Sequence, residues 1–193
     1  MKHFIGIDIG YLNMGIAVCQ VQDNLSLETL EVLHVARINL RYLPGQALHE
    51  EVGAFVKNFI TPHLTHNTTI LLERQPPTGL TSIEYLILYI LTQNPSPIPV
   101  VRVSPVSLHK HFGIRHLTYE KRKTFIEQHV TKYILDPPTK ETYDNLDRKH
   151  DVADAILFCL FHCGKNKQQQ VFNNPLDDED VFEKFRFRHH PVH

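Results

Sequence analysis

The sequence predicts an α/β protein in which a mixed five-stranded sheet is flanked by helices. Three observations carry that expectation. Five short apolar runs read as strands. The first three are joined by short connections, which suits antiparallel pairing. The last two alternate with segments of helical period, which suits parallel strands linked by helical crossovers.

Residues 3–9 (HFIGIDI) and 14–22 (MGIAVCQVQ) are the first two strands, with GYLN as the hairpin turn between them. Residues 29–40 form a third strand. From Gly45 to His63 the apolar positions Leu48, Val52, Phe55, Val56, Phe59 and Ile60 recur at helical spacing. The run TTILLE, 68–73, suits a buried strand, and RQPPTG after it is a loop because of its two prolines. Residues 82–92 are apolar almost all round, which fits either a buried helix or a subunit seam. NPSPIP is a loop and PVVRV the fifth strand. Ser104 followed by Pro105 reads as a helix start, and Thr118 as the cap of a helix running to about Leu135. DPPTKETYDN reads as a polar loop. Asp147 then caps a last helix with Val152, Ile156, Cys159 and Cys163 on one stripe. Residues 1–164 are expected to form one domain, and 165–193, polar, Gln-rich and acidic, a tail or extension.

No run of about 18 apolar residues is present, so no membrane span is expected. Three cysteines are too few and odd in number for a disulfide framework, which suits an intracellular, reducing compartment. Cys159, His162 and Cys163 share one helix without a second cluster, so core packing is preferred to a zinc site. The net charge is −1, but it is unevenly spread. Between Arg102 and Lys132, seven Lys/Arg face two acids, a local basic surface suited to phosphates or simply a solvated face. LDDEDVFEK near the C-terminus carries the opposite charge.

Four acids stand where bare charge is expensive. Asp8 lies inside FIGIDIG, Glu73 ends an apolar run, and Asp151 and Asp154 sit on the apolar final helix. A buried carboxylate needs a cation or a proton. Asp151 and Asp154, three apart, share a helix face. Singly, each has a plainer reading: a helix-surface acid or cap for Asp151 or Asp154, a strand-end ion pair with Arg74 for Glu73. Together they suggest two divalent ions about 3.5–4 Å apart acting on a phosphate ester. Oxygen-only ligands suit Mg²⁺, with Mn²⁺ as a substitute, rather than Zn²⁺. His150 is a candidate proton shuttle or phosphate contact, or a surface histidine.

The segments IGIDIGYLNMGIAV, ILLERQPP, VVRVSPVSLHKHFG, YEKRKTFIEQHV and RKHDVADAILF resemble, in order, those of RuvC-like Holliday junction resolvases. The LLERQ and VSPV wording is most similar to the resolvases of poxviruses and related large DNA viruses. The resemblance spans residues 3 to about 163 and implies the ribonuclease-H-like fold. It implies that Asp8, Glu73, Asp151 and Asp154 are catalytic, metal-binding acids. It implies Lys110, Lys121, Arg122 and Lys123 as DNA-facing residues, a homodimer, and four-way DNA junctions as substrate. If the source is a virus, the host-cell site of viral DNA replication is the expected location. Three rival readings remain. Two are another ribonuclease-H-like nuclease acting on RNA or hybrids, and a non-enzymatic junction-binding scaffold that has lost catalysis, against which all four acids are present. The other is an actin- or sugar-kinase-type ATPase, which shares Asp8, Gly10 and Gly15 as a strand-turn-strand; 193 residues are short for it and no second phosphate loop is visible.

Overall fold

The computed structural model describes residues 1–172 except 24, 95 and 97. Five strands, β1 (Lys2–Asp8), β2 (Met14–Val21), β3 (Glu31–Ile38), β4 (Thr68–Glu73) and β5 (Val100–Val103), form one sheet in the order β3-β2-β1-β4-β5. β1, β2 and β3 pair antiparallel, whereas β4 is parallel to β1 and β5 to β4. This is the expected mixed five-stranded sheet.

Alternation along the strands sorts side chains to two faces. Ile5, Ile7, Ile16, Val18, Ile70 and Leu72 pack on one face against α1 (Leu48–Phe55) and α2 (Thr81–Thr92). Phe4, Ala17, Cys19 and Leu71 pack on the other against α3 (Pro105–His111), α4 (Tyr119–Thr131), α5 (Pro137–Asp144) and α6 (Lys149–Phe172). Asp8 follows Phe4 and Gly6 in that alternation, and Glu73 follows Leu71, so both acids belong to the α6 face. α6 lies very close to the sheet. A Cβ at Gly6 would strike the Ala155 carbonyl, and one at Gly15 the Asp151 carbonyl. The stripe Val152, Ile156, Cys159 and Cys163 is buried as expected.

Several boundaries differ from the sequence reading. The third strand is shorter, because single 3₁₀ turns at Leu27–Thr29 and Leu40–Tyr42 take its ends. The helix expected from Gly45 begins at Leu48, where the Glu50 carboxylate accepts the N–H groups of Gln46 and Ala47 at 2.6 and 3.2 Å. It runs on as a wider π turn, Val56–Ile60, and a 3₁₀ turn, Thr61–His63; Pro62 has no N–H to continue the regular ladder. Ser104 and Thr118 stand at cap positions, but neither hydroxyl makes a capping bond.

The segment read as a loop, 136–145, is instead α5. Its prolines fall at the helix start, where they are tolerated, and the Asp136 carboxylate accepts the Thr139 N–H at 2.9 Å. Asp147 does not cap the last helix: α6 starts at Lys149, and Asp147 is exposed and pairs with Arg37 at 3.6 Å. α6 also continues to Phe172, past the boundary expected at 164, and residues 173–193 with the acidic stretch lie outside the described residues. α2 is two-faced rather than apolar all round in its environment. Ile83, Glu84, Ile87 and Leu91 are buried, while Tyr85 and Tyr89 are exposed. No helix among the described residues is long and apolar enough to cross a membrane.

Candidate active site

β1 and β4 end side by side. Their register pairs Ile7 with Leu72, which sets Asp8 and Glu73 next to each other one residue on. Asp8 also pairs with Gly15 on β2, and Gly15 packs on the Asp151 backbone. The sheet thus brings three elements of distant sequence to one corner. A cavity of 260 Å³ opens there, lined by Asp8, Glu73 and Asp154 together with Gln75, His109, Tyr119, Arg122 and Lys123.

Each acid has a distinct environment. Burial pushes the Asp8 carboxyl well above its ordinary pKa, and the negative charges of Asp154 and Glu73 push it the same way. Glu73 is raised from 4.5 to about 6, chiefly by burial, with Asp154 adding to the shift. Donors hold it back: Glu73 Oε2 accepts the Ile9 N–H at 3.1 Å and the Gln75 side-chain amide at 2.5 Å, and Asp8 shares a hydrogen bond with it. Asp154 is ion-paired with Lys123, whose ammonium lies 5.4 Å from the Tyr119 ring centre. Burial works against the Lys123 charge, but Asp154 outweighs it and the lysine pKa is raised.

Asp151 is nearly buried and faces a different set of partners. Arg148 Nε donates to it at 3.0 Å, and His150 Nε2 lies 3.2 Å away. It does not line the cavity, although its charge is felt at Asp8. Being three apart on one helix therefore does not bring Asp151 and Asp154 to the same opening. Both stand in the first two turns of α6, where the N-terminal end of the helix dipole favours negative charge.

The basic residues also divide. Arg122 and Lys123 reach the cavity, and Lys123 faces the acids rather than the outside. Lys121 is exposed, and Lys110 lines a separate shallow hollow with Gly113, Arg115 and His116. His150 sits between Arg148, Asp151 and Glu127, outside the cavity lining. Gln75, His109 and Tyr119 were not singled out from sequence as site residues. The position of Gln75 two residues after Glu73 in LLERQ was the available signal for one of them; His109 and Tyr119 carried none. Burial lowers the His109 pKa, and the nearby Arg122 charge lowers it further.

Among the described residues, no three His, Cys, Asp or Glu side chains are poised around a common point as a ready metal cage. The donor set still fits a hard divalent ion. Asp8, Glu73 and Asp154 line one corner. The Lys123 ammonium at Asp154 and the Arg148 guanidinium at Asp151 stand where a dication could act, and burial favours the protonated forms of Asp8 and Glu73.

No protein-family model matches the chain, and no curated protein matches it in sequence. Solved structures do share its fold. Fowlpox virus resolvase, in complex with Holliday junction DNA, matches with a TM-score of 0.62 and 14% identity, covering 86% of this chain and 99% of that one. The yeast mitochondrial Holliday junction resolvase matches with a TM-score of 0.65 and 15% identity, over 89% of this chain and 84% of that one. Thermus thermophilus RuvC matches with a TM-score of 0.57 and 15% identity, over 86% and 98%. The chain therefore has the ribonuclease-H-like fold of the RuvC-type resolvases.

Proposed function

We propose that the chain is a metal-dependent, structure-specific DNA endonuclease that resolves four-way junctions by paired symmetric nicks, acting as a homodimer in DNA recombination or viral genome processing. The observation that carries this reading is the carboxylate corner, Asp8, Glu73 and Asp154, opening at the ends of β1 and β4 in a resolvase fold. Two divalent ions held by these oxygens and by Asp151 would activate a water and offset charge on the leaving 3′-oxygen. Glu73, held by the Ile9 N–H and Gln75, presents its remaining oxygen in a fixed direction. Arg122 in the cavity lining supplies positive charge to a phosphate, and Lys123 would add its own where a metal ion takes its place at Asp154. Exposed Lys110 and Lys121 extend that charge over the surface, where contacts to phosphates position a duplex without reading its bases. The products would carry a 5′-phosphate and a 3′-hydroxyl. Three free, buried cysteines suit an intracellular reducing compartment, or the host-cell site of DNA replication if the source is a virus.

The test is a cleavage assay on a synthetic four-way junction and a matched linear duplex with Mg²⁺ or Mn²⁺. Junction cutting should far exceed duplex cutting. Asp8→Asn should abolish it while leaving junction binding intact. A variant that cuts as fast as the unaltered protein would overturn the assignment of the acids. Preference for a hybrid or RNA substrate would instead favour a different nuclease on the same fold.

A further inference from the structure

A second cavity, 590 Å³, adjoins the carboxylate cavity and shares Gln75 and Pro105 with it. Its volume falls within the roughly 300–1,000 Å³ of ligand clefts. Its walls combine two arginines, Arg74 and Arg102, with Tyr85, Val106 and the Pro76–Pro77 pair. Tyr85 and Val106 are 61% and 60% exposed. The Arg102 guanidinium lies 5.9 Å from the Tyr85 ring centre.

The charge of this cavity is one-sided. Arg102 Nε donates to Glu84 Oε1 at 2.5 Å, but Glu84 is fully buried in α2, so only the guanidinium faces outward. Arg74 is exposed, and its side chain has no ion-pair partner among the described residues. Cations beside an aromatic ring and apolar proline faces suit a nucleic-acid strand: phosphate on the arginines, base or sugar on the ring and prolines. An uncharged or basic ligand would leave Arg74 without counter-charge.

We propose that this cavity is a second strand subsite, holding the nucleotide that flanks the scissile phosphate in the cut strand. The inference rests on the nuclease reading and deepens it. Occupancy is also tied to the acids. Glu84 Oε2 accepts the Gln75 backbone N–H at 3.1 Å, and the Gln75 side chain donates to Glu73. A phosphate on Arg102 therefore bears on the same buried carboxylate that anchors the loop orienting Glu73. The subsite explains why a solvent-facing arginine is fixed by a carboxylate with no exposure at all: the pair holds the guanidinium in one place before the strand arrives.

The experiment measures binding of a labelled four-way junction by fluorescence anisotropy in EDTA, over a series of salt concentrations. Arg74→Gln and Tyr85→Ser alter exposed side chains and leave the Glu84 pair in place. Lys57→Gln, an exposed cation on the turn that continues α1 and outside the lining of both cavities, is the matched charge control. Arg74→Gln and Tyr85→Ser should each weaken binding by about fivefold or more. Arg74→Gln should also reduce the slope of log K against log salt by about one. Lys57→Gln should leave both unchanged. Unaltered affinity and slope in the two variants, with the unaltered protein binding and cutting junctions, would overturn the subsite alone. An unaltered protein that binds no DNA would overturn the nuclease reading and the subsite together. If light scattering shows that Tyr85→Ser converts a dimer to a monomer in step with the lost affinity, the face is a subunit seam and the subsite is overturned.

Discussion

Glu73→Gln gives a quantitative check on the electrostatics of the site. In the metal-free protein the Glu73 carboxyl is held near pH 6, against 4.5 in an unperturbed chain. The folded state therefore binds this proton more tightly than the unfolded state does. Its contribution to stability is fully present below the unfolded pKa and is lost as pH rises through about 6. The 1.5-unit shift corresponds to about 2 kcal/mol of destabilisation at pH 8. At pH 5 the same linkage leaves about 0.8 kcal/mol. Glutamine removes the ionisation altogether but weakens the charge-assisted bond from Gln75 and the Ile9 N–H, which costs about 1 kcal/mol. The net expectation in EDTA at pH 8 is a gain of about 1 kcal/mol, or roughly 2–4 °C in Tm for a domain of this size. At pH 5 the gain should vanish. Adding Mg²⁺ at pH 8 should raise the Tm of the unaltered protein and leave the variant nearly unmoved. The assay is thermal unfolding at both pH values, with and without Mg²⁺. A variant less stable at pH 8, or a Tm difference that does not change with pH, would refute the claim that a burdened carboxylate sits at this corner.

Two further outcomes follow from the same packing. Lys123→Met leaves Asp154 without its cation in a cavity where both side chains are largely covered, so the metal-free protein should lose about 2–4 kcal/mol in urea unfolding, with part of the loss recovered on adding Mg²⁺. Tyr143→Phe should be neutral or stabilising by up to about 1 kcal/mol in the same measurement, because the Tyr143 hydroxyl is buried with no hydrogen-bond partner among the described residues.

The sheet was readable because its strands are unusually apolar, and the order of runs alone set the antiparallel-then-parallel pattern that the structure has. Asp8 and Glu73 were conspicuous for the same reason: period-two alternation places each beside residues that are fully buried. α5 was missed because prolines dominate the reading of 136–145, whereas Pro137 and Pro138 fall at a helix start and Asp136 supplies the cap. The relation of Asp151 to Asp154 was only half legible. Helical spacing puts them on one side of α6, but only contact with Gly15 decides which of the two is pressed to the sheet and which opens to the cavity. Lys123 was read as a surface contact to DNA; that it turns inward to Asp154 depends on the packing of α4 against α6, which no local pattern encodes. Arg102 and Glu84, eighteen residues apart, met for the same long-range reason.

The two glycines beneath α6 have an effect beyond making room. Contact at Gly6 on one strand and Gly15 on the next pins the helix at two points, and two points fix both its angle and its lengthwise position. Main chain rests directly on main chain there, so the distance separating the acids is set by backbone contact at two glycines rather than by side-chain packing. The surrounding hydrophobic residues are free to be exchanged for others of similar bulk, while the corner where the carboxylates meet keeps its dimensions.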